Sequence, residues 1–284
     1  MSIHPSALIG PKARLGAGVR IGPFCVVEDD VTLGDGCVLE SHVVIRSGTT
    51  LGSNNRVFEG AVLGGLPQHV HLMEHPGRIL IGSGNTIREH VTVHRPLEAE
   101  HQTTIGDHCL LMASAHVAHD CSIADNVIIT NNAMLGGHVS VGARAFISGG
   151  VGIHQFCRVG SLAMVGGQAH IVKDVPPFVT IDGQSGYVVG LNQVGLKRAG
   201  HGPDVILQLK AAYRLIYRSG LMWDEILRRL PQEFPGGLAA QFHPFLSSTT
   251  RGIVPERRMP PGATIKLHPA EEEEESLPLR FKAG

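Results

Sequence analysis

Aliphatic residues recur at every sixth position of this chain. The register runs from Ile3 through Ile9, Leu15, Ile21, Val27, Leu33, Leu39, Ile45, Leu51, Val57 and Leu63. It returns at Ile81, Ile87 and Val93, then continues unbroken from Ile105 to Ile171, for 26 aliphatic residues in all. Neither an amphipathic helix nor a half-buried strand has that period. The second position of the hexapeptide is often Gly, as at Gly10, Gly16, Gly34, Gly52, Gly142 and Gly160, which reads as a corner turn. The fifth is small or β-branched, as at Ala7, Val19, Cys25, Val31, Ala115 and Val127. Three hexapeptides close one triangular coil, and stacked coils pair as parallel strands about 4.8 Å apart. The pattern predicts an all-β fold, a left-handed parallel β-helix, over residues 1–177.

Two stretches, 69–80 and 96–104, lack the repeat. Each gap is a whole number of hexapeptides, so both are expected to be loops projecting from the prism, where function often sits. After Pro177 the repeat stops. A linking segment, 178–200, leads to helical spacing over 203–219, with Ile206, Leu209, Tyr213 and Ile216 on one face. Two further short helices are expected over 224–230 and 238–246. Residues 178–254 are thus a linker and a small α-helical C-terminal domain. From Pro255 the chain carries five consecutive Glu at 271–275 and little apolar pattern, which reads as a disordered acidic tail over 255–284.

Composition narrows the function. The formal net charge is −1, which gives no basic surface for nucleic acid. No apolar run is long enough to span a membrane. The N-terminus lacks the pattern of a signal peptide, so a cytoplasmic protein with reduced thiols is expected. All five cysteines, Cys25, Cys37, Cys109, Cys121 and Cys157, fall on the fifth position of the repeat. They read as small buried hydrophobes, not as nucleophiles or metal ligands.

Of the 17 His, four fall together. His119, His138 and His154 belong to hexapeptides that start at Val117, Leu135 and Ile153, so they share one side of the prism on three consecutive coils. His116 stands at the corner leading onto that side. Two chemistries fit such a cluster. One is metal binding, for which His is the commonest ligand. The other is general-base catalysis by one His, with Asp120 either orienting His119 or serving only as a turn residue. No nucleophile elbow or phosphate loop is present.

At these residues the chain resembles a known family. The prism is similar to that of the hexapeptide acyltransferases. The segments His116-Val-Ala-His119-Asp120-Cys121, Gly136-Gly137-His138-Val139, His154-Gln155-Phe156-Cys157 and Val175-Pro176-Pro177 resemble the UDP-N-acetylglucosamine O-acyltransferases. So do Ile87-Arg88-Glu89, Gly195-Leu196-Lys197-Arg198, the run 213–220 and Ser248-Thr249-Thr250-Arg251-Gly252. The resemblance covers roughly residues 1–254. It implies transfer of a 3-hydroxyacyl chain from acyl carrier protein to the 3-position of UDP-N-acetylglucosamine, the first step of lipid A biosynthesis. It implies His119 as general base, Asp120 as its support and the Gly137 N–H as oxyanion donor. His116, His138, His154 and Gln155 would hold substrates. Gln68, Asn192 and Arg198 would contact the nucleotide sugar. Gly167 would leave the acyl groove open to a longer chain. A homotrimer with sites between subunits is implied, and neither cofactor nor metal. The chain departs from the family at His69 and His71, where an Asp and a Lys are usual, and at Ser185, Val194 and Ala199. These departures leave a variant acceptor open, for instance a 3-amino sugar giving an amide. More distant alternatives are a γ-type carbonic anhydrase with zinc and a non-catalytic β-solenoid.

Overall fold

The computed structural model describes residues 2–70 and 76–257. His71 and the segment 258–284, which holds most of the expected tail, lie outside the described residues. Short parallel strands stack into three sheets, which begin at Ser2–Ile3, Leu8–Ile9 and Arg14–Leu15 and are called here the first, second and third. Partners along each sheet are eighteen residues apart in the regular coils, as in Val26 with Val44 and Met134 with Gly152. The prism is the expected left-handed β-helix.

Each hexapeptide contributes its sixth and first residues to a strand. Side chains alternate along a strand, so the first and fifth positions point inward and the sixth points out. Val27, Val31, Leu33 and Cys37 are accordingly buried, and so are all five cysteines. The core is one continuous column of aliphatic side chains.

The Gly at the second position has a different role from the one expected. The left-handed backbone conformation falls on the fourth position, and mostly on residues other than Gly, such as Asp30, Asn54, Asn126, Asn132 and His138. Asn, Asp and His tolerate that region better than most side chains. At the second position it is space that excludes a side chain. A Cβ on Gly142 would lie 2.9 Å from the carbonyl carbon of Gly160 on the next coil.

Both interruptions of the repeat open at one corner, between the second and third sheets. Ile81 pairs with Leu51, thirty residues back instead of eighteen, and Ile105 pairs with Ile81, twenty-four back. The loops therefore insert twelve and six residues after the strands Val62–Gly65 and Thr92–His94. Arg95 ties them together, donating to the carbonyls of Ser47, Pro76 and Gly77 at 3.2, 2.6 and 2.9 Å.

The coil also continues beyond Pro177, in a shifted register. Val175 bridges to Val159, and Thr180 and Ile181 pair with Met164 and Val165, each sixteen residues back. One hexapeptide has lost two residues, so a search by sixes loses the register. Within 178–200 the structure forms the strands Val179–Ile181 and Val188–Leu191 and a helix, α1 (Gln193–Arg198). Helices α2 (Pro203–Arg218), α3 (Trp223–Glu233) and α4 (Phe242–Ser247) follow, and the expected element over 238–246 begins as a 3-10 turn, Leu238–Gln241. They pack as a second core around Phe178, Leu209, Leu230 and Phe242.

A half-buried ion pair docks this bundle on the prism. The Arg158 guanidinium donates to Asp174 at 2.9 and 2.7 Å and also reaches the Phe245 carbonyl and the Ser248 hydroxyl. Residues 255–257, expected in the tail, are paired. The Val188 N–H donates to Pro255, the Arg257 N–H donates to Val188, and Glu256 accepts from Tyr213 and Arg218.

Candidate functional site

The corner that carries both loops also carries the His cluster. His116 points outward from the second sheet, on the strand His116–Val117. Thr92 Oγ1 lies 2.8 Å from its Nδ1, and the ring of His94 packs edge-on against it at 4.9 Å. His119, Asp120, Gly137, His138, His154 and Gln155 occupy the second to fourth positions of their hexapeptides, where the chain turns from the second sheet to the third. They meet there because equivalent positions stack from coil to coil, as in the bond from the His138 N–H to the His119 carbonyl, 3.0 Å.

Asp120 is the most enclosed of these groups, its side chain only 4% exposed. One carboxylate oxygen, Oδ2, lies 2.8 Å from His119 Nδ1 and accepts the Leu97 N–H at 3.1 Å. The other, Oδ1, lies 2.9 Å from His101 Nδ1. Burial alone would raise the Asp120 pKa. The bonds from Leu97, His119 and His101 outweigh it and hold the carboxyl below its usual range. A carboxylate on Nδ1 selects the His119 tautomer that leaves a lone pair on Nε2. That nitrogen sits over Gly137, where a Cβ would come within 2.6 Å of it.

Gly137 lies close beside the His119 ring. Its neighbours Gly136 and His138 donate to the adjoining coils. In some coils the N–H at this position is taken by an Asp of the next coil, as Ala17 is by Asp35 and Asp107 by Asp125. The next coil here offers Gln155 instead, and among the described residues the Gly137 N–H has no backbone acceptor. It is a donor available to a ligand.

A groove of about 440 Å³ runs along this corner, lined by Gln68, His69, His116, His119, Gly137, His154 and Gln155, with Met134 and His170 along the second sheet. His69, from the first loop, stands edge-on to His119 at 6.1 Å. Burial, with His119 beside it, pushes His138 below its ordinary pKa against the pull of Asp120. His138 also stacks flat on Phe156 at 4.5 Å. His119, Asp120 and His138 could approach one metal ion. However, Asp120 Oδ2 is already committed to His119 and Leu97, an acid–base arrangement and not an open ligand set.

The other expected residues lie apart. Asn192 caps α1, accepting the Gly195 N–H at 2.9 Å and donating to the Leu162 carbonyl at 2.8 Å. With Arg198 it lines a different cavity, of about 530 Å³, on the outer face of the first sheet beside Phe146 and Met164; Val194 and Ala199 line it too. Ser185 is held by Asp182 at 2.6 Å. Gly167 is exposed where the first sheet turns to the second, with no atom closer than 3.5 Å to the place of a Cβ. The expected set therefore divides between two surfaces of one chain.

Three residues of the site escaped the sequence reading. His94 and Thr92 support His116, and His101 holds Asp120. The repeat carried no register for His101, which sits inside an insertion. The signal that could have found it is that both insertions open at the corner already marked by His119.

Family models match residues 174–254 as the second domain of UDP-N-acetylglucosamine O-acyltransferase, and residues 12–47 and 102–137 as bacterial transferase hexapeptide repeats. Acyl-[acyl-carrier-protein]–UDP-N-acetylglucosamine O-acyltransferase from Halorhodospira halophila is 43% identical over 254 residues, covering 89% of this chain and 98% of that one. The protein of the same name from a Sulfurihydrogenibium species is 50% identical over 258 residues, covering 90% and 95%. Among solved structures, the enzyme from Acinetobacter baumannii superposes with a TM-score of 0.86 at 38% identity, covering 89% of this chain and all of that one. The UDP-N-acetylglucosamine acyltransferase from Bacteroides fragilis gives 0.85 at 35% identity, covering 89% and 99%.

Proposed function

The chain belongs to the UDP-N-acetylglucosamine O-acyltransferase family, and from that premise we propose that it moves a 3-hydroxyacyl chain from acyl carrier protein to the 3-hydroxyl of UDP-N-acetylglucosamine, the first step of lipid A biosynthesis. The observation that carries the reading is the His119–Asp120 pair, 2.8 Å apart, beside the unengaged N–H of Gly137. His119 Nε2 takes the proton of the sugar 3-hydroxyl as that oxygen attacks the thioester carbonyl. Asp120 stabilises the imidazolium, and the Gly137 N–H donates to the oxyanion. The tetrahedral intermediate collapses, the C–S bond breaks, and His119 returns the proton to the departing phosphopantetheine thiolate.

His116, His138, His154, Gln155, Gln68 and His69 hold the two substrates along the groove, and His71 is assigned with them. Asn192 and Arg198 reach the nucleotide sugar from a neighbouring copy. The outward residues of the three sheets favour a homotrimer. The first two sheets present Val38, Leu110, Ile128, Phe146 and Met164, and Leu8, Val44, Val62 and Met134, among polar residues such as Arg20, Arg56, His116 and His170. The third presents Arg14, Thr32, Thr50, Thr104, Ser122, Ser140 and Arg158. Two faces with apolar patches and one mostly polar face suit packing around a threefold axis. The open position at Gly167 favours a longer acyl chain. No described helix is long and apolar enough to cross a membrane, and we assign the reaction to the cytoplasm, where thiols stay reduced.

The test is transfer from acyl carrier proteins loaded with chains of different length, onto UDP-N-acetylglucosamine and onto its 3-amino analogue. Ester formation is expected, and His119→Ala is expected to lose about a thousandfold or more in kcat. Preference for the amino sugar would overturn the acceptor. Stoichiometric zinc, or full activity in His119→Ala, would overturn the mechanism.

A further inference from the structure

We propose that His101 is a positioning residue for this acyl transfer, the outer link of a chain Glu98–His101–Asp120–His119 that orients the carboxylate and couples the base to charge at the surface. The inference rests on the function proposed above. Its geometry is independent of that function. His101 Nε2 lies 3.6 Å from Glu98 Oε2, and His101 Nδ1 lies 2.9 Å from Asp120 Oδ1. Asp120 Oδ2 lies 2.8 Å from His119 Nδ1. Two imidazoles thus share one buried carboxylate, each through Nδ1 and each on its own oxygen.

The two oxygens are held from different elements. Oδ2 is held by His119 and by the Leu97 N–H, while the Asp120 N–H donates to Thr103 Oγ1 at 2.9 Å. Oδ1 has His101. With the imidazole removed, the carboxylate can rotate about its last bond, and a rotated carboxylate no longer presents Oδ2 squarely to Nδ1. A base held loosely loses near-attack geometry, which is a loss in kcat.

The second consequence concerns charge. The His101 side chain is 49% exposed, whereas that of His119 is only 11% exposed. Glu98 and Asp120 are the carboxylates that face His101. His138, with Nε2 at 3.8 Å from Asp120 Oδ2, is the other titratable group on this carboxylate. His119 is faced by Asp120, His138 and His69, with His94 and His116 behind it. A cationic His101 offsets the field that Asp120 exerts on His119. Protonation of His119 then becomes harder, and the base remains available to lower pH. A neutral His101 still donates its Nδ1–H and still orients the carboxylate. Orientation and charge are therefore separable by substitution.

The experiment uses the full-length protein and three variants, His101→Gln, His101→Ala and Glu98→Gln. Acyl transfer is followed from pH 5 to 9, and the histidine rings are titrated in parallel by NMR. His101→Gln keeps a donor and loses the charge. It should hold kcat at pH 8 within about threefold, while the acid limb of kcat/KM and the His119 titration move up by about half a unit. His101→Ala loses both and should add a kcat loss of about tenfold with KM for both substrates unchanged. Glu98→Gln should move the limb in the same direction by less. A role confined to holding the loop would lower thermal stability without moving the His119 titration in His101→Gln. The proposal is overturned if that titration is unmoved, or if His101→Ala matches the wild type in both kcat and acid limb. Absence of acyl transfer by the wild type would instead overturn the functional reading, and the NMR titration would still report on the chain of contacts.

Discussion

His94 shows how a single side chain can set a condition on the whole fold. Its ring is buried behind His116, its Nδ1 has no hydrogen-bond partner among the described residues, and burial next to His116 and His119 pushes its pKa down to about 4. In the unfolded chain it titrates near the ordinary value of about 6.5. Between those two values the unfolded state binds the proton and the folded state does not, so stability rises with pH through that window. His94 should therefore remove up to about 3 kcal/mol of stability per chain between pH 7 and pH 4. Denaturant unfolding at pH 4, 5, 6 and 7 checks this. The pH slope should flatten in His94→Gln, and an equal slope in the two proteins would refute it. None of this was legible in the sequence, because His94 ends the last strand before an insertion and a ring in that place has no predictable neighbours.

A hexapeptide contains two kinds of corner constraint, and they predict opposite effects of similar substitutions. Gly142, at a second position, has the next coil against it, so Gly142→Ala should destabilise by about 2 kcal/mol through overpacking. Ser114, at an exposed fourth position, has φ of 59°. Ser114→Gly should stabilise by about 1 kcal/mol, since Gly adopts that conformation without the Cβ penalty. Thermal melts of the two variants decide the matter, and a loss in both would mean that the fourth position is not strained. The frequency of Gly at the second position was plain in the sequence. Its cause was not, because a clash with the next coil is a contact eighteen residues away.

For the molecule as a whole, the separation of His119 from Arg198 on one chain makes a prediction about assembly. If a site takes His119 from one copy and Arg198 from its neighbour, two inactive variants can complement each other. Trimers assembled at random from equal amounts of His119→Ala and Arg198→Ala chains should recover about a quarter of wild-type turnover, since a site needs the intact residue from each of two adjacent copies. Separately assembled trimers, mixed afterwards without exchange, should recover nothing. The absence of any gain on co-assembly would place Arg198 outside the site.

The sequence by itself determined the period, and the period carried a good deal. It yielded the prism, the burial of all five cysteines, and the meeting of His119, His138 and His154 at one corner. A six-residue repeat transmits its register through every coil, so that any two positions in an unbroken run have a known relation in space. Tertiary structure decided what lies wherever that relay is interrupted. The two-residue deletion before Val175 hid one further turn of the coil. The insertion at 96–104 hid His101 and Leu97, the partners of Asp120. The place of His101 against Asp120 depends on where an inserted loop returns to the prism, and that is determined by long-range bonds such as those of Arg95 and Leu97, which no local pattern encodes.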